Sequence, residues 1–195
     1  VLGIDPGTAT LGYGVVSGGP GGATRLIECG VVRTQATEAL PARLATIFEA
    51  VSALIERHRP DALAVEGIFH GKNARSALIL GHGRGVVLLA AAQAGLAVAE
   101  ISPAEVKRAT TGTGAASKAQ VADMVTRLLR LVEAPKPADA ADGVAIAPAS
   151  ARPSKVLVPR PISSISTSEL SLAACRIAAA SVISTMKVDC ALARS

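Results

Sequence analysis

The spacing of apolar residues changes at residue 40, and that change limits the folds open to the chain. Before it, apolar residues come in short runs: Val1-Leu2-Gly3-Ile4 ending at Asp5, then Leu11 to Ser17, then Leu26 to Arg33. Pro6-Gly7-Thr8 and Gly18-Gly19-Pro20-Gly21-Gly22 separate them. Such runs between turn signals predict the strands of an antiparallel meander. From Leu40 onward, Leu44, Ile47, Phe48, Val51, Leu54 and Ile55 follow the 3.6-residue repeat of an amphipathic helix over 40–58, which Pro60 stops. Ala62 to Glu66 is again a strand. Asn73 can cap a long apolar helix that runs to about Ala94, before Gly95, and Leu96 to Ile101 is another strand. Ser102-Pro103-Ala104-Glu105 and Ser117-Lys118-Ala119-Gln120 are capping boxes that open two more helices. A last helix is expected from Ala138 to Ala147. The order βββαβαβααα predicts an α/β domain over residues 1–147, a mixed five-stranded sheet flanked by helices on both faces.

Half of the chain is hydrophobic, but it has two Phe, one Tyr and no Trp, so the core must be aliphatic. The apolar runs are broken by Gly, Pro or charge, and no basic leader precedes a hydrophobic stretch. Neither a membrane span nor a signal peptide is therefore expected. Cys29, Cys175 and Cys190 are odd in number and have no metal-ligand spacing, which fits thiols in a reducing cytosol. The net charge of +5 is unevenly spread. Residues 1–147 carry 14 Lys/Arg against 13 Asp/Glu, and residues 148–195 carry six against two. The high pI thus comes mostly from a Ser/Ala/Pro-rich tail, which reads as a disordered or loosely helical extension. Any nucleic-acid role for the domain must rest on where its cations lie, not on their total.

Four acidic residues occupy positions that folding alone does not favour. Asp5 and Glu66 end apolar runs, and Asp139 and Asp142 stand three apart in the otherwise apolar segment 138–147. A carboxylate at the end of a buried strand is costly unless it is paired. Several carboxylates together repel, and their usual partner is a hard cation such as Mg²⁺. Taken singly, Asp5 could be a turn residue before Pro6-Gly7, Glu66 a surface strand end, and Asp139 a helix cap with Asp142 favoured by the helix dipole. Taken together they point to metal-dependent chemistry on phosphates. Lys118 falls in the first turn of its helix, where the dipole disfavours a cation. Phe69 lies in a loop with Gly67, His70 and Gly71, which is poor core material and suits stacking on an unpaired base. Lys72, Arg75 and Arg84 are candidate phosphate contacts. Glu100 reads as a solvated strand end, and His58 as a structural histidine.

In order and spacing these residues resemble the RuvC family of Holliday junction resolvases. The shared pieces are Leu2-Gly3-Ile4-Asp5-Pro6-Gly7-Thr8 with Gly12-Tyr13-Gly14-Val15, Leu40-Pro41-Ala42-Arg43-Leu44, and Ala64-Val65-Glu66 with Phe69 and Lys72-Asn73. Next come Ser76-Ala77-Leu78, Arg84-Gly85, Val106-Lys107, Gly112, Lys118, Gln120-Val121 and Ala138-Asp139-Ala140-Ala141-Asp142. The likeness runs through residues 1–147 and stops at the tail. It implies a ribonuclease-H-like fold and an endonuclease that nicks two strands of a four-way junction symmetrically. Asp5, Glu66, Asp139 and Asp142 would be the catalytic metal-binding carboxylates, holding Mg²⁺ or Mn²⁺, about two ions per site. Lys107 and Lys118 would contact or help cleave DNA, with Phe69 beside the bases. The resemblance also implies a cytoplasmic homodimer that works with the RuvA–RuvB branch-migration complex.

Two other readings share part of this pattern. Ile4-Asp5-Pro6-Gly7-Thr8 is similar to the phosphate loop of actin-like ATPases and sugar kinases, which would make the chain a phosphotransferase. An RNA-processing nuclease of the same fold is the other. The long segment 74–94 is apolar nearly all round, so it is either wholly buried within one subunit or shared with a second.

Overall fold

The structure, a computed structural model, describes residues 1–18, 24–67, 74–149 and, as backbone, 155–157. Asn73, Phe69, His70 and Lys72 lie outside the described residues.

The meander forms as expected. β1 (Leu2–Asp5), β2 (Thr10–Ser17) and β3 (Arg25–Arg33) pair antiparallel in sequence order. After α1 (Leu40–His58) the chain crosses to β4 (Ala62–Glu66), which lies parallel to β1. After α2 (Ala74–Gln93) it reaches β5 (Ala97–Ile101), parallel to β4. α3 (Pro103–Thr111), α4 (Lys118–Leu128) and α5 (Ala138–Ala149) complete the domain. The sheet order is β3-β2-β1-β4-β5-β6, so the expected five strands are present and a sixth is added at the edge. That strand, β6 (Lys155–Leu157), comes from the segment read as a tail and pairs antiparallel with β5. Three residues between Pro153 and Pro159 carry too little pattern to be read as a strand.

Strand alternation divides the core in two. Leu2, Ile4, Leu63 and Val65 pack with Ile47, Val51, Leu54 and Val87 of α1 and α2. Ala64 and Ile101 face the other way, with Val106, Val121, Val125 and Val144 of α3, α4 and α5. On this second face α5 comes unusually close to the sheet, because the residues between them are glycines. A Cβ at Gly3 would overlap the Gly143 carbonyl, one at Gly12 the Asp139 carbonyl, and one at Gly14 would meet Val144.

Both capping boxes form. Ser102 accepts from the Glu105 amide while the Glu105 carboxylate accepts from the Ser102 amide, and Ser117 and Gln120 do the same. Gly95 takes a positive φ of 69° after α2, and the Leu96 amide reaches back to the Ala91 carbonyl. His58 bears out its structural reading: its Nε2 lies 2.8 Å from Glu28 Oε2, and Arg57 donates to Glu28 Oε1, so the end of α1 is tied to β3. Among the described residues, α2 is the one helix long and apolar enough to cross a membrane by length and composition. In this fold it lies along α1 with Gly83, Val87, Ala90 and Ala91 buried.

Candidate active site

The parallel register of β1 and β4 pairs Ile4 with Val65, so the next residues, Asp5 and Glu66, emerge side by side at the same end of the sheet. Alternation puts Asp5 on the face of Gly3, the face that α5 covers. The close approach at Gly12, the β2 partner of Asp5, brings the start of α5 over that end. Asp139 sits in the first turn of α5, exposed, and Asp142 one turn further on, half-buried. Lys118, first residue of α4, donates to Asp142 Oδ2 at 2.9 Å while its side chain remains 82% exposed.

The electrostatics show how closely these groups interact. Burial, more than any other cause, raises the Glu66 carboxyl from its ordinary 4.5 to about 8; the charge of Asp5, a hydrogen bond with Asp5 and the charge of Asp142 add to it. Asp5 is also raised, mainly by burial and further by Asp142 and Asp139, although its hydrogen bond from Glu66 and the nearby Lys118 oppose the shift. The two strand-end carboxyls therefore share a proton, held on Glu66 and donated to Asp5. Lys118 is raised first by its hydrogen bond to Asp142, then by the charges of Asp142, Asp5 and Glu66.

A carboxyl set that retains a proton near neutrality is short of positive charge. The donor chemistry therefore fits a divalent cation, which would replace that proton. As the side chains stand, no three described Asp, Glu, His or Cys residues enclose a single ion position. Asp142 is turned to Lys118, and Asp5 and Glu66 are turned to each other. Binding an ion would exchange those contacts for ligand bonds.

The remaining candidates are distributed differently. Lys107, partly exposed, is on α3, which packs against α4 and α5. Arg75 is exposed near the start of α2. Arg84 is not a surface cation available to phosphate. Its side chain is 13% exposed and pairs with Glu100 at 2.8 Å, which also corrects the reading of Glu100 as a solvated strand end. An all-round apolar helix gives no period from which to tell which side meets the sheet, so this pair could not be read from sequence. The turn after Asp5 is held by two residues to which the sequence assigned no role. Thr34 donates its hydroxyl to the Thr8 carbonyl and accepts from Arg43 Nε. The only signal of this was the place of Arg43 in the shared segment Leu40–Leu44.

The family model described as crossover junction endodeoxyribonuclease RuvC matches residues 1–149, which hold β1 to β5 and all five helices of the described structure. The RuvC of Moorella thermoacetica is 51% identical over 147 residues, covering 75% of this chain and 87% of that protein. The RuvC of Parafrankia sp. is 50% identical over 147 residues, covering 75% and 83%. Thermus thermophilus RuvC, solved in complex with a Holliday junction substrate, superposes with a TM-score of 0.73 at 40% identity over 76% of this chain and 90% of that one. The yeast mitochondrial Holliday junction resolvase Ydc2 shares the fold at a TM-score of 0.57, with 16% identity over 77% of this chain and 76% of its own. With the family model matched over residues 1–149 and relatives 50–51% identical over 147 residues, the chain belongs to the RuvC family of crossover junction endodeoxyribonucleases.

Proposed function

We propose that this protein resolves four-way DNA junctions by paired, metal-dependent hydrolysis of phosphodiester bonds, in recombination and repair. The observation that carries the proposal is that the β1/β4 register sets Asp5 beside Glu66 at the end of the sheet over which the start of α5, with Asp139 and with Asp142 paired to Lys118, is laid. Asp5, Glu66, Asp139 and Asp142 are the candidate ligands, with Asp5 between the strand side and the α5 side of the set. Divalent cations held by these carboxylates, Mg²⁺ with Mn²⁺ as a substitute and about two per site, would supply the charge that acidifies a water and stabilises the leaving 3′-oxygen.

The protein contributes position. β1 and β4 fix two carboxylates by a hydrogen-bonded register, and α5 brings two more on successive turns. Glu66 would give up its proton to act as a ligand. Lys118, freed from Asp142, is exposed enough to meet a phosphate oxygen. Lys107, Arg75, Lys72 and Phe69 are the remaining proposed DNA contacts, Phe69 by stacking. A homodimer suits the pseudo-twofold substrate, because one isologous interface gives two equivalent sites. The interface we assign is the outer side of α2, where Ala77, Leu78, His82, Gly85 and Leu89 line, with Leu44 of α1, an open groove of about 450 Å³. Such a dimer would act in the cytoplasm beside the RuvA–RuvB branch-migration complex.

The test is incision of a synthetic four-way junction and a linear duplex of the same arms, each with and without Mg²⁺. The expected result is symmetric nicks in the junction, dependent on metal. ATP turnover with no effect on the junction would favour the phosphotransferase reading instead.

A further inference from the structure

The turn that follows Asp5 is gripped from two sides. Thr34, the first residue past β3, lies at the same end of the sheet as Asp5, because Arg33 pairs with Thr10 at the start of β2. Its amide donates to the Ala9 carbonyl at 3.1 Å and its hydroxyl to the Thr8 carbonyl at 2.6 Å. One residue thus takes two consecutive carbonyls of the turn. Arg43, in the opening turns of α1, donates from Nε to the same hydroxyl oxygen at 3.0 Å. A cationic donor on a hydroxyl strengthens the bond that hydroxyl gives, so the guanidinium reinforces the grip on Thr8. Opposite, Thr8 is buried, and its methyl lies 3.0 Å from where a Cβ on Gly83 of α2 would stand. Within the turn, a side chain at Gly7 would overlap the Thr10 carbonyl, so the backbone has no slack.

We infer that Thr34 and Arg43 are positioning residues of the metal centre: through the Thr8 carbonyl they fix the backbone that carries Asp5. Arg43 stands near the N-terminal end of α1, where the dipole disfavours a cation and no acidic residue occupies the first turn, so its bond to Thr34 offsets an unfavourable placement. Asp5 is the carboxylate on which the others converge, and partners that orient a metal ligand change affinity or activity by about 10–100-fold when removed. A carboxylate displaced by about 1 Å is also enough to slow a positioned reaction by roughly 10²-fold. The inference rests on the assignment of Asp5 as a metal ligand.

The experiment compares wild type, Thr34→Val, Thr34→Ser and Arg43→Met in the full chain. Four properties are read: Mn²⁺ affinity without DNA, by electron paramagnetic resonance of free Mn²⁺; junction affinity without divalent ions; single-turnover cleavage at saturating Mn²⁺; and Tm. Thr34→Val keeps volume and loses the hydroxyl. It should bind Mn²⁺ about tenfold more weakly and cleave about 10–100-fold more slowly, with junction affinity within about twofold of wild type. Thr34→Ser keeps the donor and should recover both losses. Arg43→Met, on a partly exposed side chain, should fall between them. Wild-type Mn²⁺ affinity and cleavage in both Thr34→Val and Arg43→Met would overturn the inference. So would a Thr34→Ser variant as impaired as Thr34→Val, because the hydroxyl would then not be the active group. Failure of wild type to cut the junction would remove the junction-resolving function instead, while the Mn²⁺ titrations would still report on the grip.

Discussion

Glu66 keeps its proton to about pH 8 because it is buried beside Asp5 and Asp142, and that has a measurable cost. In the unfolded chain the same carboxyl ionises near its ordinary 4.5. Between those values the folded state binds more protons than the unfolded state, so this group's contribution to stability falls as pH rises from about 4.5 to about 8. In the absence of divalent ions, the Tm of wild type should decline across that window relative to Glu66→Gln, which carries no ionisable group there. Adding Mg²⁺ should reduce the decline, because the cation takes the proton's place. Equal pH profiles for the two proteins would remove the shared proton from the account. Asp5→Asn tests the same pair from the other side. Deleting one charge should lower the Glu66 titration below about 8 and raise the Tm in chelator at pH 8, while abolishing cleavage and sparing junction binding. A 13C titration of the Glu66 carboxyl and a melt would check both. Asp5 and Glu66 were legible in the sequence because a carboxylate ending an apolar run conflicts with burial. Arg84 and Glu100 were not, since their pairing depends on which side of α2 meets β5.

Among the elements, α5 bears most directly on the site, and glycines set its depth. Asp139 and Asp142 reach Asp5 because Gly12 lets the Asp139 carbonyl lie against β2. Gly12→Ala should push the start of α5 outward. Overpacking of this kind costs about 1–3 kcal/mol, or a fall in Tm of about 3–10 °C in a chain of this size. The loss of cleavage should be larger than that stability cost explains, about 10²-fold at a temperature where the variant is fully folded. Circular dichroism melts with single-turnover cleavage would separate the two effects; an unchanged rate would show that α5 does not set the metal geometry. The sequence carried the existence of α5, and its capping-box neighbours α3 and α4, through local signals that structure retains. It did not carry β6, whose three residues gain their strand character only by pairing with β5. The hydrogen bonds from Thr34 to the turn and from Arg43 to Thr34 join β3 and α1 to the β1–β2 connection, and no local pattern encodes such a contact.

For the whole molecule the deciding element is α2. Its apolar residues surround the helix, which left complete burial and a shared interface equally open in the sequence. The fold separates them: Gly83, Val87, Ala90 and Ala91 are buried, whereas Leu78 is 64% and Leu89 50% exposed. Both leucines border the groove against Leu44, and Gly85 between them leaves open space where a second helix could come close. A twofold dimer through this side would place each subunit's catalytic end on one arm of a symmetric substrate. Leu89→Asp would then bury an unpaired carboxylate at the interface. That costs several kcal/mol, so dimer affinity should fall by about 10²-fold or more while the fold is retained, because the position is exposed in the monomer. Light scattering after size exclusion should give a monomer. On a supercoiled plasmid that extrudes a cruciform, wild type should produce linear DNA from paired nicks, and Leu89→Asp should accumulate nicked circles. Dimers that persist with linear product would move the interface elsewhere. Monomers that still linearise the plasmid would separate pairing of the nicks from dimerisation in solution, leaving the junction itself to bring two subunits together.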